Sequence, residues 1–225
     1  MFYFDPLYMM MIGPAVLLAL FAQRYVKSTF AKYSKVIGSK GYSGADAARE
    51  ILRTNGIHDV DVVATQGKLT DHYDPREKVI RLSQEVYAGR SLASIGVAAH
   101  EVGHAIQHAD GYVPLKLRHN FVPVASIGSN LAFPLIFAGV LFKAFALYKL
   151  GIIFFSAAVL FQLITLPVEF NASTRALALI EKNGIVTSQE VSGSKAVLNS
   201  AAMTYVASAA VAVMQLLYFV LQARD

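Results

Sequence analysis

The sequence predicts a mainly α, polytopic membrane protein: about four transmembrane helices and a small cytoplasmic α+β unit. Three observations predict it. Of the 225 residues 55% are hydrophobic, mean hydropathy is +0.47, and the apolar residues gather into four stretches of spanning length, 7–25, 121–142, 150–167 and 202–221. Between the first two lies a polar stretch with helix caps and turn residues spaced as in a small folded unit. Arg24, Lys27, Lys32, Lys35 and Lys40 crowd behind the first stretch, and only Asp5 carries charge before it. By the positive-inside rule the N-terminus is then outside and the chain after residue 24 is cytoplasmic. Lys143 and Lys149 run against this orientation without reversing it. Four buried core helices are the competing reading, but a chain this short has too little volume to bury them all.

The first stretch has no basic segment before it and no clear small-x-small site just ahead of the polar run at Gln23-Arg24, so residues 1–26 are expected to stay as an anchor. A basic connector, 23–41, leads into a cytoplasmic region, 27–120. There Ser43 can cap a helix through Leu52, with Asn55-Gly56 as its stop. Three extended runs, 61–65, 69–73 and 78–82, are separated by Gln66-Gly67 and Asp74-Pro75-Arg76-Glu77, which predicts a small antiparallel sheet. Ser91 opens a helix ending near Asp110-Gly111. Its middle holds His100, Glu101, His104, Gln107 and His108, which is costly in lipid, so it is expected to pack on the cytoplasmic sheet; a site inside the bilayer, cleaving within it, is the alternative. Residues 121–167 form a transmembrane hairpin. The helix after Pro167 continues to Glu181 and closes at Asn183-Gly184, and Thr187-x-x-Glu190 caps another short helix, making a second cytoplasmic region, 168–200. Residues 201–225 are the last span.

Composition removes several classes of chemistry. With no cysteine there is no disulfide, thiolate ligand or thiol nucleophile, so any metal must be held by His, Asp or Glu. The net charge of +5 follows the membrane, so the lipid bilayer is an expected partner and nucleic acid is not. No GxSxG, P-loop or dinucleotide fingerprint is present.

His100-Glu101-Val102-Gly103-His104 carries the chemistry. Two His at i and i+4 stand one above the other on a helix, so both imidazoles reach one ion, and Glu101 is placed to deprotonate a water there. A catalytic site of this kind takes a third protein ligand. His108 lies on the same face, but three such His spread over about 12 Å of axis. Asp110 fits a pattern that needs Gly at 107, where this chain has Gln. Glu169 is returned to the cytoplasmic side by two intervening spans, in a region poor in carboxylates. An ordinary acid at the end of a span is the alternative there. Arg175, six residues beyond Glu169, and His72 beside Tyr73 are candidate donors to an oxyanion.

Several motifs in one order resemble the membrane zinc metallopeptidases of the YugP-like group. They are Tyr3-Phe4-Asp5-Pro6, Asp71-His72-Tyr73-Asp74-Pro75, the run from Ala98 to Ala109, Pro114-Leu115-Lys116-Leu117-Arg118 and the run from Leu166 to Ser173. The resemblance implies a metalloprotease-like cytoplasmic unit and a zinc-dependent metalloendopeptidase acting on peptide or membrane-protein substrates. It further implies one Zn2+ per chain on His100, His104 and Glu169, with Glu101 as general base. Related gluzincins carry an Asp four residues after the ligand Glu to orient a His; here that residue is Ser173, and Asn171 stands where the group is expected to have Asp. A non-proteolytic zinc-binding membrane assembly factor or adaptor is the other reading. The intact Glu101 argues against it, since a structural zinc site needs no base.

Overall fold

A computed structural model describes residues 5–223, so Tyr3 and Phe4 of the opening motif lie outside it. In chain order the elements are α1 (Pro6–Tyr33), α2 (Gly44–Thr54), β1 (Asp61–Thr65), β2 (His72–Asp74), β3 (Val79–Ser83), α3 (Gln84–Ala88), α4 (Leu92–Ala109), α5 (Val113–Leu141), α6 (Phe145–Lys182) and α7 (Val191–Gln222). Helices α1, α5, α6 and α7, of 28, 29, 38 and 32 residues, are long and apolar enough to cross a bilayer, so the protein is a multi-pass membrane protein.

These helices are longer than their apolar stretches. Charge alone does not break a helix, so the supposed connector after the first span stays helical as far as Tyr33. Thr187 and Glu190 do form their capping box, with Glu190 Oε2 2.9 Å from the Thr187 N–H. The helix it starts is not a separate short one but runs on through the last span as α7.

The chain divides into two compact units. One comprises the segment ending at Gln23, Lys116–Pro167 and the segment from Thr204; the other is Arg24–Leu115 with Val168–Met203. In the first, Phe155 and Phe219 meet edge to face at 5.7 Å, and the Tyr218 hydroxyl donates to Asp5 at 2.7 Å.

In the second unit the sheet is mixed rather than antiparallel. Its order is β1-β3-β2, with β2 antiparallel to β3 and β1 parallel to it, Asp61 opposite Val79 and Thr65 opposite Ser83. β3 is the strand most buried on both faces, so it takes the centre. A chain that reverses into β2 and again into β3 must then leave β1 parallel to β3. The second strand is also shorter than the extended run suggested, because Gly67 (φ 101°) and Leu69 (φ 57°) take left-handed conformations that no strand accepts. Asp74 fixes the hairpin, its Oδ1 accepting the Arg76 and Glu77 N–H groups at 2.8 and 3.2 Å.

Helix α4 is the centre of this unit. Fourteen of its 18 residues are buried, which makes it neither a surface helix nor a lipid-facing one. Ile51, Ile80, Leu82, Ile95, Val102, Ile180 and Ile185 form the core around it.

Candidate metal centre

Two helices build the site. Ser91 caps α4, its Oγ accepting the Ser94 N–H at 3.1 Å. On α6 the buried Val168, Ala172, Ala176 and Ile180 recur every four residues and form one face. Gly103 sets how closely the two approach: a Cβ added there would lie 2.6 Å from the Ala172 carbonyl oxygen. That oxygen is helix backbone and has little room to give. A methyl at 103 forces the helices apart, at a cost of about 1–3 kcal/mol.

The approach brings His100, His104 and Glu169 together, with one ligand atom from each lying within 4.8 Å of the others. No other such group occurs among the described residues. Glu169 Oε2 is 3.2 Å from His100 Nε2 and 3.7 Å from His104 Nε2. Glu169 is 3% exposed. Burial works to raise its pKa, but the hydrogen bonds and charge of the two His outweigh this and hold the carboxyl well below the usual range. Burial likewise works against protonation of His104, and the bond to Glu169 with the charges of Glu101 and Glu169 raises its pKa nonetheless.

Whether these residues suit a zinc ion turns on which ring nitrogens are available. Gln107, fully buried, decides it for His104. Its Nε2 lies 2.8 Å from the Val168 carbonyl oxygen, which can only accept, and 3.0 Å from Asn171 Oδ1. The amide oxygen therefore faces His104 Nδ1, at 3.0 Å. In the neutral ring Nδ1 must carry the hydrogen, which leaves the Nε2 lone pair toward Glu169. His100 Nδ1 is engaged by Ser173 Oγ at 3.1 Å, again leaving Nε2 toward Glu169. Two imidazole nitrogens and one carboxylate, all converging, are the donor set of a catalytic zinc site, and they fit.

Glu101 is 8% exposed, and among the described residues no hydrogen bond engages its carboxylate. It follows the ligand His100 in the chain and is not one of the three clustered groups.

The other candidates are not among the three clustered ligands. Arg175 is engaged by Asp110, and its Nε donates to Asn171 Oδ1 at 2.9 Å. His72 is exposed on β2, with Nδ1 2.7 Å from the Thr70 carbonyl oxygen. Burial pushes the pKa of the Tyr73 hydroxyl up to about 12, and that hydroxyl meets His108 Nδ1 at 2.8 Å, so His108 is tied to β2. Gln107 and Gly103 were not singled out from sequence as parts of the site. Their one signal is position: Gln107 is one turn beyond a ligand His, and Gly103 lies between the two His.

Gln107→Met keeps the volume and removes the acceptor for His104 Nδ1–H. Zinc affinity, measured by competition with a chromophoric chelator, is expected to fall about 10–100-fold. An unchanged affinity would show that Gln107 does not orient the ring.

A family model described as "Putative neutral zinc metallopeptidase" matches residues 8–224. The chain is 53% identical over 204 residues, 91% of each chain, to the "Putative membrane protease YugP" of Bacillus subtilis (strain 168). No solved structure gives a significant match. The chain belongs to this zinc metallopeptidase family.

Proposed function

We propose that this family member is an integral membrane endopeptidase in which Glu101 is the general base of peptide-bond hydrolysis. The observation that carries the reading is the nearly buried Glu101 carboxylate, without a hydrogen bond among the described residues, beside a His2Glu cluster that closes to within 4.8 Å. A zinc ion held by His100, His104 and Glu169, one per chain, supplies a Lewis acid for the scissile carbonyl and lowers the pKa of water there. Ser173 and Gln107 hold the two imidazoles so that Nε2 is the donor in each. Glu101 takes a proton from the attacking water and hands it to the departing amine nitrogen. Charge on the former carbonyl oxygen calls for a protein donor. Arg175, its guanidinium fixed by Asp110 and Asn171, is the proposed one, with His72 the other candidate. A larger loss of kcat in Arg175→Ala than in His72→Ala supports that choice, and the reverse removes it. Strand β2 lies at the sheet edge, where an extended peptide can add by backbone pairing.

The substrates proposed are peptides and membrane-protein segments near the cytoplasmic headgroups. Purified protein is expected to cut casein internally into fragments; release of single residues from one end would instead mean an exopeptidase. The orientation is testable against an empty background, because the chain has no cysteine. A cysteine at the exposed Asp59 position is expected to resist an impermeant thiol reagent in intact cells and to react after lysis. Labelling in intact cells would place the unit outside.

A further inference from the structure

Beyond the metal centre, Val26, Lys27, Phe30, Ala31 and Ser34 follow one another along α1 and the turn after it, lining a cavity of about 480 Å³. The cavity lies wholly within the second unit. Its far wall is Lys68 and Leu69 from the loop before β2, with Ser83 and Glu85.

Four features of this cavity point the same way. The side chains of Lys27, Lys35 and Lys68 make no ion pair or hydrogen bond among the described residues, and Glu85 is the one carboxylate lining the cavity, so the wall is net cationic. The Ser34 Oγ is shut off from solvent and has no hydrogen-bond partner among the described residues, a hydroxyl whose hydrogen-bonding capacity is unused. Leu69 is 62% exposed and held at φ 57°, a conformation that a leucine adopts only under constraint and that here places it on the cavity wall. The lining also starts two residues after Arg24, where the apolar run ends, and Val26 to Lys35 covers only about 15 Å, so the cavity begins at the headgroup layer.

From these we infer that the cavity is a binding site for one anionic phospholipid of the bilayer. The lipid phosphate sits among Lys27, Lys35 and Lys68, and the Ser34 side chain, shut off while the cavity is empty, turns its hydroxyl to donate to it. Its glycerol and first chain carbons lie along Val26, Phe30 and Leu69. Diffuse attraction of lysines to anionic headgroups requires no cavity, whereas a volume within the ordinary range of small-molecule sites, backed by an unused hydroxyl, fits one bound molecule. The site stands independently of the peptidase assignment.

Delipidated full-length protein in a neutral detergent, titrated calorimetrically with short-chain phosphatidylglycerol, phosphatidylcholine and inorganic phosphate, tests it. Phosphatidylglycerol is expected to bind at about one per chain, with phosphatidylcholine at least tenfold weaker and phosphate unable to compete. Lys27→Gln, Lys35→Gln and Lys68→Gln together are expected to weaken binding on the order of a hundredfold. An unchanged thermal midpoint without lipid shows that the triple variant is folded; if it is not, Ser34→Val serves, with an expected loss of several-fold. Equal binding of the two lipids, or lipid binding untouched by the variants, overturns the inference. Competition by free phosphate at equal affinity overturns it too, leaving an anion patch with no lipid selectivity.

Discussion

Glu169→Ala is expected to lose zinc by far more than the 10–100-fold that removal of an outer-shell partner causes. Glu169 is the one carboxylate whose oxygen faces both His100 Nε2 and His104 Nε2, at 3.2 and 3.7 Å. Without it two neutral imidazoles remain, with no negative charge from a ligand to offset a dication. The substitution sits at a buried position, so folding must be separated from binding. Glu169→Gln keeps the shape and the hydrogen-bonding oxygen while removing the charge. It is expected to stay folded, as judged by its melting profile, and still to bind zinc much more weakly than the wild type. Full zinc retention in both variants would mean that the third ligand lies elsewhere.

Glu101→Gln has the opposite signature. Glu101 is not one of the three clustered ligands, and its carboxylate bonds to nothing among the described residues, so the amide should fold and hold zinc normally. Removing the base is expected to lower kcat about 10²–10⁴-fold, with KM little changed. A variant that keeps both zinc and full cellular function would favour the adaptor reading. One that loses zinc would show that Glu101 helps to hold the metal.

How much of this was legible in the sequence depends on how local each feature is. His100 and His104 are linked by helical period alone, so a contiguous motif displays them. Glu169 is 65 residues beyond His104, and what pointed to it was topology: two spans return the chain to one side, in a region short of carboxylates. The hydrogen-bond partners were not legible. That Gln107 turns its oxygen to His104 follows from the Val168 carbonyl beside its nitrogen, a contact created only when α6 packs on α4. Ser173 was marked by spacing, but its bond to His100 depends on the same packing.

The sheet shows the same division. Residues 61–65 read correctly as a strand from their β-branched run, while strand order is a property of the whole unit and has no local signature. The lengths of α1 and α7 were underestimated because hydropathy marks where lipid ends and neither stops there, whereas the run of α6 past Pro167 was legible from its stop at Asn183-Gly184.

The most direct test of the central claim is to strip the purified protein with a chelator and restore zinc stepwise, measuring bound zinc and casein hydrolysis on the same samples. If His100, His104 and Glu169 hold the catalytic ion, hydrolysis rises in proportion to bound zinc and levels off at about one per chain. Hydrolysis that persists in the stripped protein, or zinc that rebinds without restoring any, would contradict the account.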